Sequence, residues 1–307
     1  MQNGGAVAAR LSSTAETDSP LPKAPLAEAP KEAKFSLPDD ISVPPLGNRQ
    51  TQIHARRLAA LDTGFEAPTL SDAQTPTPFD LACKPQLTIS AAPSAMIDVY
   101  LSAPCDANAR LKISHAALSF TDMTDAEGTY HVSVPAMERD AIVSVRFDGG
   151  REFVASALIP DLAGHMRSAI VWNGLEGLHI HAFEYGADYG DAGDVWAEAA
   201  RTPDAAANGS GGFLSILGNS EVLNPELAEV YTFPADKTPR DGVVRLVVEA
   251  GITEDTCNRA ISGRTIEIGS DGETREVALE LNMPACDAAG GYLVLKNLLQ
   301  DVKIAAN

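Results

Sequence analysis

From Gln86 onward, apolar and polar residues alternate in short runs. Alternation with a period of two is the mark of a strand with one buried face. It predicts strands at Gln86–Ile89, Ile97–Leu101, Arg110–Ile113, Tyr130–Val134, Ala141–Phe147 and Phe153–Ile159. Clusters of Pro, Gly, Asp and Asn separate them, as turns do. In the middle of the chain, Leu178, Ile180 and Ala182 alternate with His179, His181 and Phe183. The strand pattern returns at Val243–Glu249, Arg264–Ile268, Arg275–Leu281, Tyr292–Leu295 and Asp301–Ile304. Between residues 160 and 240 the pattern is less regular. Ala197–Ala207 reads as a short helix broken at Pro203, Pro225–Ala228 as a helix or turn, and Val230–Phe233 as a strand.

The expected fold class is therefore mainly β: one or two β-sandwich modules with an irregular insertion, preceded by a disordered N-terminal tether. Residues 1–80 hold ten of the chain's 20 prolines and only isolated large apolar residues. Such a segment buries too little surface to offset the entropy of ordering it. One stretch within it, Gln52–Leu61, has the composition of a short, marginal helix. The expected divisions are a tether over 1–80, a β-sandwich module over 81–162, an elaborated segment over 163–240 packed on it, and a second β-module over 241–307.

A weak internal repeat bears on that division. Asp125-Ala126-Glu127-Gly128-Thr129-Tyr130-His131-Val132 and Asp287-Ala288-Ala289-Gly290-Gly291-Tyr292-Leu293-Val294 share the pattern D-A-x-G-x-Y-x-V. Two readings stand: a pair of related modules, or two copies of a common hairpin turn.

Charge narrows the partners. The net charge is -19, and 32 acidic against 16 basic residues leave -16 of it on residues 81–307. Such a surface repels phosphate backbones, so nucleic acid is not an expected partner. No run of 18 apolar residues appears, and MQNGGAVAAR lacks the basic start and apolar core of a signal peptide. The four cysteines, Cys83, Cys105, Cys257 and Cys286, include no CxxC pair, so a structural zinc site is not expected. Three disulfide connectivities are open. The nearest-neighbour pairing, Cys83–Cys105 and Cys257–Cys286, closes the shortest loops, and four buried thiols are the competing reading. Oxidised cysteines imply an envelope or secreted location.

Candidate chemistry gathers in Trp172–Trp196, which holds both tryptophans, two tyrosines, two histidines and five acids. His179 and His181 lie two apart on a strand, with Glu184 following, a set that suits a divalent metal such as zinc. The competing reading is a polar sheet face. Asp188, Asp191 and Asp194 offer oxygen ligands to calcium, or form a solvated acidic loop. Trp196, Tyr185 and Tyr189 are the candidate binding residues. Trp172 follows the apolar run Ala169-Ile170-Val171 and belongs with the core. Asn208-Gly209-Ser210-Gly211-Gly212 reads as an anion cradle or a flexible loop, without the Lys of a P-loop. No catalytic Ser/His/Asp or Cys/His arrangement is identifiable.

The stretches CKPQLTISAAPSAMIDVYLSAPC, KISHAALSFTDMTDAEGTYHVSVPAMERDAIVSVRFDGG, GLHIHAFEYGADYGDAGDVW and NGSGGFLSILG together resemble a family of uncharacterised alphaproteobacterial proteins of the marine rhodobacter group, often labelled "translocase". The resemblance covers most of residues 80–307 and implies no established activity. It does imply an N-terminal membrane anchor ahead of the tether. This chain starts about where that anchor would end, which suggests a start assigned too late or a trimmed chain. Separately, Thr124–Ala136 is similar to the turn of carboxypeptidase-regulatory-like β-sandwich modules. The functional expectation is a non-catalytic periplasmic protein, held to the inner membrane only by the missing anchor. Its aromatic, acidic surface would bind an envelope protein or a glycan. A metal-dependent hydrolase using the His-x-His pair and a carboxylate is the alternative.

Overall fold

The computed structural model describes residues 83–174, 177–238, 240–269 and 272–305. The tether expected over 1–80 and its short helix lie outside them. Clean alternation has given strands. The first seven are β1 (Gln86–Ala92), β2 (Met96–Ser102), β3 (Arg110–His115), β4 (Leu118–Met123), β5 (Thr129–Pro135), β6 (Asp140–Phe147) and β7 (Glu152–Leu158). They form two antiparallel sheets. Sheet I has the order β1-β2-β5 and sheet II the order β4-β3-β6-β7. In β6, Ala141, Val143, Val145 and Phe147 are buried while Asp140, Ile142 and Arg146 face out. The core between the sheets is built on Ile97, Val99, Leu101, Ile113, Phe120 and Val145.

The turn into β5 shows the local chemistry. The Asp125 carboxylate accepts the backbone N–H groups of Glu127 (3.0 Å) and Thr129 (2.6 Å), the bonding of an Asx-type turn. Gly128 sits at φ +73°, and a Cβ on it would lie 2.1 Å from the Ala103 carbonyl oxygen. Only glycine meets both demands. In the second copy of the repeat Gly290 also has a positive φ, +89°, but open space surrounds it. Tyr130 of the first copy is buried, whereas Tyr292 of the second is exposed.

The remaining elements are β8 (His165–Asn173), β9 (Leu178–Glu184), β10 (Asp194–Val195), α1 (Pro203–Ala207), β11 (Phe213–Leu217), β12 (Glu226–Pro234), β13 (Gly242–Gly251), β14 (Ala260–Ile268), β15 (Thr274–Asn282), β16 (Tyr292–Leu295) and β17 (Val302–Ile304). Sheet III runs β11-β12-β8-β14-β15. Sheet IV runs β10-β9-β13-β16, with β17 also on β13. Each of these two sheets joins a block of strands from residues 163–240 to a block from 241–305, through the β8–β14 pairing in sheet III and the β9–β13 pairing in sheet IV. Pro203 begins α1 rather than breaking a helix, which suits the residue that has no N–H to donate. The helix or turn expected at Pro225–Ala228 is instead the start of β12.

The central strands of sheet III, β8 and β12, are covered on both faces. Ala169, Val171, Val230 and Ile266 join the core of the first sandwich. Ile170, Trp172, Leu227 and Tyr231 point the other way, into a second core shared with Ile180, Leu246 and Val248 of sheet IV. Every residue of β12 is buried. Arginines tie the layers together. The fully buried Arg167 donates to the carbonyls of Ser94 (3.1 Å), Ala95 (2.7 Å) and Ala136. Burial pulls its pKa down to about 9. Arg264 donates to the Ala117 carbonyl (3.0 and 2.9 Å).

The cysteines pair as Cys83–Cys105 and Cys257–Cys286, with Cα separations of 5.2 and 5.0 Å. They close loops of 22 and 29 residues, worth about 3–4 kcal/mol each in the chain-entropy account. The two bonds fit an oxidising compartment, extracellular or periplasmic. Among the described residues no helix is long and apolar enough to cross a membrane.

Candidate functional site

Strand β9 decides what the central stretch presents. Leu178, Ile180 and Ala182 enter the second core. His179, His181 and Phe183 therefore lie on the outer face of sheet IV. Cross-strand partners share a face. The register pairs Phe183 with Arg245, His181 with Val247 and His179 with Glu249 on β13. It then pairs Glu249 with Val294 and Gly251 with Tyr292 on β16. The loop after β9 folds back over this face and returns as β10, which sets Asp194 opposite Phe183.

The result is an aromatic and acidic cluster around a buried histidine. The His181 ring is stacked on Trp196 (centroids 4.8 Å apart, planes at 17°) and on Phe183 (5.7 Å, 19°). Tyr189 meets both His181 and Phe183 edge-on, at 5.1 and 4.8 Å. Nδ1 of His181 lies 2.9 Å from Asp194 Oδ1, and Nε2 lies 3.7 Å from Glu249 Oε2. The Tyr189 hydroxyl donates to Glu249 Oε1 at 2.5 Å. Burial and that carboxylate raise the pKa of the Tyr189 hydroxyl, so it stays protonated. Arg245 lies over the Phe183 ring at 4.3 Å and reaches Asp188 at 3.6 Å. Tyr189 remains 47% exposed and Tyr292 59%, while Trp196 is half-buried.

The candidate metal donors are placed apart. Glu184 has the opposite parity to the histidines and points into the molecule. There it accepts the Tyr231 hydroxyl (2.7 Å), the Gly212 N–H (2.6 Å) and Arg201 Nη1 (2.8 Å). Burial and the charge of Glu184 push the Tyr231 pKa well up. His179 is held by the buried Glu229, 2.8 Å from Nδ1, and Glu229 also accepts the Ile180 N–H (2.7 Å). Asp188 and Asp191 shape the loop: Asp191 accepts the Asp188 N–H, and Asp188 accepts the Tyr189 N–H. Asp194 accepts the Gly190 N–H (3.1 Å) as well as holding His181. Among the described residues no three His, Cys, Asp or Glu are gathered to hold a metal ion. The glycine-rich loop does cradle an anion, and the anion is the chain's own Glu184 on Gly212.

No family model, curated protein or solved structure matches this chain. The site is thus described by its own geometry. Trp196 and Tyr189 come together on His181. Tyr185 has other neighbours: Phe233 at 6.5 Å, and Arg240 over its ring at 4.2 Å. It lines a separate open cavity of about 650 Å³ with Arg201 and Ser210. Trp172 is buried in the second core. Sequence reasoning missed Glu249, Arg245 and Tyr292. Tyr292 lies over a hundred residues from Tyr189 and joins it only through the β9–β13–β16 register, for which the chain carries no local signal.

Proposed function

We propose that this chain is a non-catalytic binding protein of the periplasm, and that the outer face of sheet IV is its binding surface. Two exposed tyrosines, Tyr189 and Tyr292, carry the reading. They share the outer face of sheet IV with a half-buried Trp196, which stacks on His181. Aromatic rings fixed by their neighbours lose little conformational freedom on binding and supply large contact areas, which is why they dominate recognition surfaces. The polar groups beneath them are already engaged: Asp194 with His181, Glu249 with Tyr189, Asp188 with Arg245. They set the rings in position and leave ring faces to the solvent. The ligand is an envelope protein or a glycan, and an N-terminal anchor to the inner membrane completes the arrangement.

The test uses the full chain and the double variant Tyr189→Ala/Tyr292→Ala. Binding is measured by co-sedimentation with purified cell-wall polysaccharide and by capture of detergent-solubilised envelope proteins. Truncating two such anchors costs about 2 kcal/mol or more, roughly thirtyfold in affinity, with unfolding midpoints unchanged. Equal retention of the same ligand by both proteins, or loss of the fold in the variant, would overturn the reading.

A further inference from the structure

The open cavity of about 650 Å³ beside Tyr185 stands out by its charge. Its lining holds two guanidiniums, Arg201 and Arg240, against one carboxylate, Glu184, a formal +1. The whole chain carries -19. The cavities lined by His165, by Arg275 and by Arg259 show no such excess of positive charge.

The two arginines do different work. Arg201 is engaged: Nη1 donates to Glu184 (2.8 Å) and to the Gly212 carbonyl (3.2 Å), and Nη2 to the Ala192 carbonyl (2.8 Å). It neutralises Glu184 and builds the wall. Arg240 is exposed, and its Cζ lies over the Tyr185 ring at 4.2 Å from the centroid. Among the described residues it has no carboxylate partner and no hydrogen bond. The ring fixes the guanidinium in place while its N–H groups stay unused. The backbone is unusual at the same wall. Among the described residues, only Tyr185 (φ +54°) and Arg201 (φ +57°) combine a positive φ with a large side chain, the others being Asn, Ala, Ser or Gly. Both line this cavity.

A pre-placed, unpaired guanidinium calls for an oxyanion, and its planar fork matches a carboxylate or a phosphate. Charge decides between them. A carboxylate brings -1 and balances the lining, whereas a phosphate monoester brings about -1.5 to -2 into a chain already strongly negative. Glycines 186, 193 and 209 and Ala187, Ala192 and Ser210 leave room for more than the acid group, and the volume falls within the roughly 300–1,000 Å³ of ligand pockets.

We infer that this cavity binds a small organic acid through one carboxylate held on Arg240. Neither Tyr189 nor Tyr292 lines it, so the test is independent of the aromatic face of sheet IV.

The probe is benzoate, with benzamide as its uncharged counterpart and phenyl phosphate as the dianion, each added to the full chain at constant ionic strength. Backbone amide spectra should show saturable benzoate shifts at Gly193 and Gly209, with Gly149 as the distant control. Benzamide should not reproduce them, and phenyl phosphate should bind more weakly. Arg240→Gln should weaken benzoate about tenfold or more. Arg240→Lys, which keeps the charge without the fork, should fall between the two. Its retained binding shows that the loss is not one of folding. The inference is overturned by the absence of a saturable shift, by an equal response to benzamide, by tighter binding of phenyl phosphate, or by unchanged benzoate affinity in Arg240→Gln.

Discussion

Glu184 shows what a single side chain decides here. It follows His181 by three residues, and proximity in sequence suggests a shared metal site. Period two says otherwise, since positions 181 and 184 fall on opposite faces of one strand. That much is legible in the sequence. The partners are not: Tyr231, Gly212 and Arg201 come from three other segments. A carboxylate held by a buried hydroxyl, a backbone N–H and a guanidinium is costly to remove, because its partners are left desolvated and unpaired. Glu184→Ala should therefore lower unfolding free energy by about 3–5 kcal/mol. Tyr231→Phe, which removes one donor and keeps the packing, should cost only about 1–2 kcal/mol. Urea denaturation of both variants measures this. Equal, small losses would mean that Glu184 is not the hub its geometry describes.

At the scale of elements, strands with one wet face were readable, whereas of the two central strands with none, β8 was not read and β12 only over Val230–Phe233. β6 alternates and its span follows from the pattern. In β8 and β12 both faces are dry, so Ser168-Ala169-Ile170-Val171-Trp172 and Glu226–Pro234 lose the alternation that marks a strand. The same packing makes β14 sensitive at Gly263. A Cβ there would stand 2.4 Å from the Val171 carbonyl oxygen and 3.1 Å from the Trp172 Cα, on the neighbouring strand β8. Backbone cannot yield as a flexible side chain does. Gly263→Ala should push β14 from β8 and cost about 2–3 kcal/mol, as overpacked interiors do. Gly149, with open space around it, is the control at which Ala should change little. Thermal unfolding compares the two. Equal melting temperatures would show that sheet III tolerates a wider strand spacing than the structure has.

For the whole molecule, pH sets two effects against each other. The chain carries -19, so mild acid reduces self-repulsion and favours the compact state. Against this stand two of the buried histidines, His115 and His165. Burial lowers the pKa of His115, with the Arg167 charge acting the same way and the Ile142 carbonyl and Glu138 opposing it. Burial also lowers that of His165, with Arg167 again acting the same way and the Asp161 carbonyl, Asp161 and Asp236 opposing. Released from the fold, each binds its proton near pH 6.5. Below that value the unfolded chain therefore holds more protons than the folded one, and stability must fall as pH drops. Glu226 enters only later. Burial tends to raise its pKa, but hydrogen bonds from Lys112 and Ser119 and the charges of Lys112 and Arg264 outweigh that and hold it below 4.5, so its contribution is lost in stronger acid. Salt separates the two effects in the window between. At about 1 M salt the screening length is about 3 Å, so surface repulsion is largely removed while the desolvation of a buried imidazolium is not. Urea midpoints measured in that salt should be lower at about pH 5.5 than at about pH 7.5. A midpoint that holds or rises would mean that both histidines accept protons without leaving their places, and that water already reaches their nitrogens.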